Sequence, residues 1–154
     1  MSILGTRRTF WVDENACAAA ASALARHPSL REAFVELRGP LGAGKTTFVR
    51  HLLRALGVKG RVKSPSYTIV EPYELPGLPA WHFDFYRFND AREWEDAGFR
   101  EVFASPGLKL AEWPEKAEGL LPLADMRIEI EPGLDDTRAV SYSAFTQRGK
   151  ELLA

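Results

Sequence analysis

Nine consecutive residues, Gly39 to Thr47, have the composition and spacing of a loop that binds phosphate groups. They read Gly-Pro-Leu-Gly-Ala-Gly-Lys-Thr-Thr, which matches the pattern of a glycine, four residues and then Gly-Lys-Thr. Glycine carries no Cβ and accepts a positive φ, so successive backbone N–H groups can turn inward around a polyphosphate. Lys45 can reach the β- and γ-phosphates, and the Thr46 hydroxyl is placed to bind Mg²⁺. This stretch therefore predicts a site for a nucleoside triphosphate.

The residues on either side predict the strand and the helix that such a loop requires. Residues 33–38 form a short apolar run with β-forming side chains, which indicates a buried strand. Apolar side chains then recur at helical spacing from Phe48 to Leu56, and Gly57 stands where many helices end. A helix that begins near Lys45 would direct its first N–H groups at the anion. This context disfavours the alternative of a glycine-rich turn with a surface lysine.

The length and composition are those of one globular unit. The chain has 154 residues, of which 45% are hydrophobic and 27% are charged, so we expect a single domain over residues 1–154. The only cysteine, Cys17, excludes an internal disulfide and fits a reducing compartment. No signal segment opens the chain and no apolar run approaches membrane-spanning length. The expected location is the cytoplasm, with no membrane partner.

The charge is distributed unevenly along the chain. The net charge is -1, yet seven basic and no acidic residues lie between Leu37 and Val70. A polyphosphate site accounts for part of this basic block, and a solvated helix face accounts for much of the rest. Direct binding of nucleic acid is the alternative, and a slightly acidic chain disfavours it.

The rest of the chain alternates between predicted helices and strands around the loop. Asp13 is a good N-cap for an alanine-rich helix that runs to Arg26. Residues 67–73 and 81–87 predict the two strands of a β-hairpin. The remaining predicted elements are helices over 90–98, 100–104 and 146–153 and strands over 6–12, 108–112, 126–131 and 139–145. The order predicts an α/β fold of the P-loop NTPase type, with three layers, a largely parallel central sheet and a β-hairpin excursion.

Two carboxylates are candidates for a role beside the metal and the attacking water. Glu112 closes an apolar strand, at the end where α/β sheets place their ligands. Asp84 shares the polar side of an alternating strand with His82. The alternatives are an exposed glutamate at a strand end and an aspartate that pairs with Arg87 or Tyr86. We expect a structural role for His82.

Four blocks of sequence together resemble the TsaE (YjeE) family, bacterial P-loop ATPases required for threonylcarbamoyladenosine (t6A) modification of tRNA. They are the loop at 39–47, Ser-Pro-Ser-Tyr-Thr-Ile-Val-Glu-Pro-Tyr at 64–73, His-Phe-Asp-Phe-Tyr-Arg at 82–87 and Glu-Trp-Pro-Glu at 112–115. The blocks occur in family order at plausible spacing. A phosphate-binding loop alone occurs in many protein families, whereas the four blocks together are a specific indication of this one.

The resemblance implies ATP or ADP and Mg²⁺ as cofactors. It assigns the nucleotide to Gly39, Pro40, Leu41, Gly42, Ala43, Gly44, Lys45, Thr46, Thr47, Ser66, Thr68 and Trp113. It assigns the metal to Thr46 and Glu112, and the catalytic roles to Lys45, Asp84 and Glu112. Three residues, Pro40, Ser66 and Phe85, depart from the usual family residues. Ser66 keeps the hydroxyl, whereas Pro40 lacks an N–H donor.

The resemblance also implies a function with protein partners. Such a chain would be an ATPase that acts on a complex of TsaB and TsaD in the t6A modification of tRNAs that read codons starting with A. Contact with tRNA would be indirect or weak, and hydrolysis by the chain alone would be slow. No comparable motif marks the adenine pocket, which we expect near Asp13 and Glu14.

Other classes of protein share the loop. A small-molecule kinase is the main alternative, with a lid of Arg87, Arg92 and Arg100 over an anion. A GTPase-like switch is disfavoured, since the chain has no Asn/Thr-Lys-x-Asp segment to read guanine. A nucleotide-binding adaptor without catalysis is the third possibility.

Overall fold

The computed structural model describes residues 2–62, 65 and 68–154, and within them seven strands form one sheet. The strands are β1 (Gly5–Trp11), β2 (Phe34–Arg38), β3 (Val70–Glu74), β4 (Pro79–Asp84), β5 (Leu108–Glu112), β6 (Met126–Pro132) and β7 (Arg138–Ala144). The α-helices are α1 (Glu14–Ala25), α2 (Lys45–Ala55), α3 (Ala91–Asp96), α4 (Phe99–Ala104) and α5 (Gln147–Leu152), and two 3₁₀ helices span Pro28–Glu32 and Pro114–Ala117. In this described part of the chain, no helix is long and apolar enough to cross a membrane.

Four consecutive strands of the sheet run parallel, and antiparallel strands flank them. The order across the sheet is β1-β7-β6-β2-β5-β4-β3. β2 pairs in parallel with β5 and with β6, and β4 pairs in parallel with β5. The pairs β1–β7, β6–β7 and β3–β4 are antiparallel. The predicted α/β fold with parallel central strands is confirmed.

The predicted hairpin is part of the sheet and does not project from it. β3 and β4 pair antiparallel, with Val70 opposite Phe83, and β4 continues the parallel part of the sheet. β3 is the edge strand, a position that tolerates Pro72. β4 ends at Asp84, earlier than predicted, because the Asp84 carboxylate accepts the Tyr86 N–H at 3.0 Å and turns the chain.

The two faces of the sheet carry separate apolar clusters. Alternate residues of a strand point to opposite faces, so Val35 and Phe34 of β2 belong to different clusters. Helices α1 and α2 cover the Val35 face, and α2 contributes Phe48 and Leu52, both fully buried. Helices α3 and α4 lie against the Phe34 face and contribute an aromatic cluster that includes Trp94 and Phe99. The layers agree with the predicted arrangement of helix, sheet and helix.

Local signals set most helix ends where the sequence predicts them. The Asp13 side chain accepts the Ala16 N–H at 2.8 Å and begins α1. After α2, Gly57 takes a φ of 108° and ends the helix. The helix predicted over 90–98 stops at Asp96, because Gly98 takes a φ of 69° and a new helix, α4, follows it.

The carboxyl ends of three parallel strands meet at one edge of the sheet. The glycine-rich loop, residues 39–44, leaves the end of β2 at this edge and leads into α2. In the strand register, Glu112 at the end of β5 lies between Leu37 of β2 and Asp84 of β4. Ligands of α/β sheets bind outside this edge, so the fold brings the predicted residues to a suitable place.

Candidate functional site

The glycine-rich loop requires glycine where its main chain lies against the sheet. Gly39 has a φ of 153°, and a Cβ at this position would overlap the carbonyl oxygen of Ile130 in β6. Gly42 and Gly44 take φ values of 79° and 107°, which glycine adopts without steric cost. The loop thus turns directly into the start of α2, where the first N–H groups have no intrahelical partner. These groups are available to an anion.

Lys45 is buried inside the loop that it follows. Its Nζ donates to the Gly39 carbonyl and lies 3.7 Å from the centroid of the Trp113 ring, a cation–π contact. Burial lowers the pKa of the Lys45 ammonium, and the nearby carboxylates of Glu112, Glu115 and Asp84 oppose that shift. An incoming anion would favour the charged form of this lysine.

Thr46 and Glu112 join α2 to the end of β5. The Thr46 hydroxyl lies 3.0 Å from Oε1 and 2.9 Å from Oε2 of the Glu112 carboxylate. Glu112 is 2% exposed, and its Oε2 also lies 2.6 Å from Nε2 of His82. The buried carboxylate therefore has hydrogen-bond partners on both sides.

Asp84 and Trp113 complete the rim of the site. Asp84 lies directly opposite Glu112 in the parallel pair β4–β5, so two carboxylates end neighbouring strands. Trp113 has a φ of 56°, a left-handed conformation that is uncommon for a bulky residue. Its ring centroid lies 4.9 Å from that of Tyr86. The two aromatic rings and Lys45 form one wall of the site.

Two adjoining cavities open at this edge of the sheet. One, of about 360 Å³, is lined by residues 41–47 together with Asp84, Tyr86, Glu112, Trp113 and Arg138. The second, of about 320 Å³, is lined by Trp11, Asp13, Glu14, Cys17, Ala43, Gly44, Thr47, Asp136 and Arg138. Burial, reinforced by the Glu14 carboxylate, raises the pKa of the Cys17 thiol to about 11. Asp13 and Glu14 thus adjoin the loop, as expected of the adenine pocket, which remains a prediction.

The oxygens of Thr46 and Glu112 suit a magnesium ion held jointly with a nucleotide. Such an ion usually takes one or two protein ligands and completes its shell with phosphate oxygens and water. A hydroxyl and a carboxylate within 3.0 Å of each other are hard donors of the required kind. Within the described residues, no group of three or more His, Cys, Asp or Glu side chains could hold a metal alone. The residues present therefore fit a shared metal and not a closed protein site.

Most of the sequence-predicted site residues come together at this edge, and two positions differ. Thr68 is exposed, donates to the Val70 carbonyl at 3.0 Å, and is absent from the described residues that line either cavity. Ser66 lies outside the described residues, as do Ser64 and Tyr67 of the same block. The expected roles of Ser66 and Thr68 remain predictions.

Sequence reasoning missed Arg138 and underestimated His82. Arg138 begins β7 and lines both cavities. Its Nε donates to the Ala43 carbonyl at 2.9 Å and its Nη1 to the Thr137 carbonyl at 3.1 Å. No local pattern marks an arginine so far along the chain from the loop. The strand alternation predicts His82 on the face of Asp84, but it does not indicate that the ring would reach Glu112.

The fold and the site define an α/β protein with a phosphate-binding loop pattern and paired carboxylates at the edge of its parallel strands. A family model described as "Threonylcarbamoyl adenosine biosynthesis protein TsaE" matches residues 11–140. The chain belongs to the TsaE family.

Similar proteins support this membership over most of the chain. The "tRNA threonylcarbamoyladenosine biosynthesis protein TsaE" of Haemophilus influenzae is 44% identical over 120 residues, which cover 78% of this chain and 75% of the relative. The Bacillus subtilis protein of the same name is 40% identical over 112 residues, 73% of this chain and 70% of the relative. The crystal structure of YdiB from Bacillus subtilis matches with a TM-score of 0.83 at 29% identity, covering 99% of this chain and 95% of the other.

Proposed function

We propose that this chain is a Mg²⁺-dependent ATPase of the P-loop NTPase type that acts with TsaB and TsaD in t6A modification of tRNA. The observation that carries the proposal is the contact between the Thr46 hydroxyl and both Glu112 carboxylate oxygens, at 2.9 and 3.0 Å. This contact joins Thr46, which follows the loop lysine, to Glu112 at the end of a strand. A metal ion held jointly by the protein and a nucleotide requires this arrangement.

The loop and α2 bind the phosphates. The N–H groups at the start of α2 face the polyphosphate, and the positive end of the helix favours its charge. Lys45 exchanges its contacts with the Gly39 carbonyl and the Trp113 ring for phosphate oxygens. Because burial lowers the pKa of Lys45 in the free protein, pairing with a phosphate favours its charged form.

Thr46 and Glu112 hold Mg²⁺, which when bound neutralises charge on the γ-phosphate. Asp84 lines the same cavity on the neighbouring strand, where its carboxylate orients the attacking water. Arg138 holds the Ala43 carbonyl, so the loop keeps its curvature while the nucleotide binds. The base lies in the adjoining cavity next to Asp13 and Glu14.

The names of the relatives support a place in tRNA modification, since those proteins are called tRNA threonylcarbamoyladenosine biosynthesis proteins. Turnover by this chain is coupled to the TsaB–TsaD pair, and tRNA is contacted weakly or through that pair. The structure gives no support to the kinase alternative. The three arginines of its expected lid are exposed and are absent from the described residues that line the two cavities above: Arg87, Arg92 and Arg100.

ATP hydrolysis by the purified chain, alone and with a TsaB–TsaD pair, tests the proposal. We expect slow hydrolysis alone, stimulation by the pair, and loss of both in Lys45→Ala. Binding to the pair without hydrolysis would leave a nucleotide-sensing adaptor. Rapid hydrolysis without the pair, or no binding to it under ATP or ADP, would contradict the proposed coupling.

A further inference from the structure

His82 lies behind the candidate site and not in it. Its side chain is 0% exposed, and it is absent from the described residues that line either cavity. It lies opposite Leu110 in the β4–β5 pair, two residues before the level at which Asp84 faces Glu112. From there its Nε2 reaches the Glu112 carboxylate at 2.6 Å. His82 can therefore act on the site only through Glu112.

The surroundings of the two ring nitrogens select one tautomer. An ionised carboxylate accepts hydrogen bonds and donates none, so the proton of the His82–Glu112 contact belongs on Nε2. Nδ1 is buried and has no hydrogen-bond partner among the described residues. A proton on Nδ1 would leave a buried donor without an acceptor, which is costly. Both nitrogens thus favour a hydrogen bond donated from Nε2 to Glu112.

We propose that His82 is a positioning residue that holds the Glu112 carboxylate in the orientation that serves Thr46 and the metal. The Nε2–H of His82 contacts Oε2, and the Thr46 hydroxyl lies within 3.0 Å of both carboxylate oxygens. Glu112 is almost fully buried, and His82 supplies its carboxylate with a fully buried donor. The proposal rests on the proposed function of the site.

A histidine that merely fills the core would not select a tautomer or a direction for a neighbouring acid. Partners of metal-binding side chains fix the orientation of those side chains, and their loss typically weakens metal binding or activity. His82 is no general base in this arrangement, because it has no access to the cavities.

Nitrogen NMR of the ¹⁵N-histidine-labelled full chain tests the contact without any nucleotide. His27 and His51 serve as internal references, and the spectrum of His82→Gln assigns the third signal. We expect a proton on Nε2 of His82, with a shift of the His82 signals alone in Glu112→Gln. An Nε2 of His82 that carries no proton, or His82 signals unchanged in Glu112→Gln, would overturn the proposal.

Two variants test the consequence for the metal. His82→Leu removes the donor, whereas His82→Gln places an amide N–H near the position of Nε2. In calorimetric ATP titrations at stepped Mg²⁺ concentrations, we expect His82→Leu to lose about 10- to 100-fold in apparent Mg²⁺ affinity. His82→Gln should remain close to the wild type, and Mg²⁺-free ADP affinity should not change in either variant.

The outcomes separate this proposal from the proposed function. Equal loss in both variants, or a parallel loss of Mg²⁺-free ADP affinity, would show a structural role and overturn the positioning role. A wild-type chain that binds neither ATP nor ADP would instead overturn the proposed function. The NMR result alone would then decide whether the His82–Glu112 contact exists.

Discussion

Two carboxylates end neighbouring parallel strands, and their surroundings differ. Glu112 is buried between the Thr46 hydroxyl and the His82 ring. Asp84 is half-buried, accepts the Tyr86 N–H and lines the cavity. A buried carboxylate held by partners on both sides suits a metal ligand, whereas a more exposed carboxylate suits contact with water. The environment of each acid therefore argues for a division of roles.

This division predicts different defects in two variants of matched size. Glu112→Gln should lower the apparent Mg²⁺ affinity by about 10- to 100-fold, because an amide is a poorer ligand than a carboxylate. Asp84→Asn should lower the rate of hydrolysis at saturating Mg²⁺ by about 100-fold, the usual contribution of a positioned base. Hydrolysis measured across a Mg²⁺ titration distinguishes the two. Equal changes of affinity and rate in both variants would contradict the division.

Among single site residues, those that belong to a local sequence pattern could be predicted. Lys45 and Thr46 follow from the spacing of the loop glycines, and Glu112 from its place at the end of an apolar strand. Arg138 could not be predicted, because its contact with the Ala43 carbonyl depends on the path of a strand far along the chain. Strand alternation predicted the face of the strand on which His82 lies, but not its contact with Glu112.

The loop between β2 and α2 is held from behind by the β6–β7 hairpin. Gly39 lies so close to the Ile130 carbonyl of β6 that a Cβ would not fit. Arg138 of β7 donates to the Ala43 carbonyl, near the other end of the loop. Asp135 and Asp136, between these strands, take positive φ values of 56° and 63°. The curvature of the loop thus depends on a second element as well as on its own glycines.

Arg138→Ala should therefore weaken ATP binding by about 10-fold or more, the equivalent of one charge-assisted hydrogen bond. Arg92→Ala is the matched control, because the Arg92 side chain is 85% exposed and pairs with Asp90 at 3.4 Å. Calorimetry of ATP binding with Mg²⁺ provides the measurement. Equal affinities in the two variants would show that the loop keeps its shape without Arg138.

The elements themselves were largely predictable because their signals are local. Asp13, Gly57 and the alternation around Phe83 mark the ends or faces of their own segments. The exceptions are the ends of β4 and α3, which have local causes that the sequence pattern did not reveal. Asp84 turns the chain through its own carboxylate, and Gly98 separates the two predicted helices so that the first already ends at Asp96.

The order of the strands is a property of the whole molecule and has no local signal. Each of β6 and β7 could be expected as a strand, but not that β6 would lie parallel to β2 with β7 antiparallel beside it. That topology brings Arg138 to a loop that lies 95 residues earlier in the chain at Ala43. Packing of apolar faces across the whole sheet decides the order.

The uneven charge also has to be considered across the whole molecule. Of the basic residues between Leu37 and Val70, Lys45 lines the cavity formed by residues 41–47, whereas three others are exposed: Arg54, Lys59 and Arg61. Arg38 instead lies 3.7 Å from Glu36 in an ion pair. Among the described residues of the basic block, Lys45 therefore lines the candidate site, whereas Arg54, Lys59 and Arg61 lie on the surface.

The most direct test of the account is calorimetric titration of ATP with Mg²⁺ into the purified chain. We expect binding at one site and a loss of at least about 10-fold in affinity in Lys45→Ala, since a charge-assisted contact to phosphate is lost. Lys59→Ala makes the same change of charge at an exposed position and should bind like the wild type. No binding by the wild type, or an equal loss in both variants, would contradict the assignment of the site.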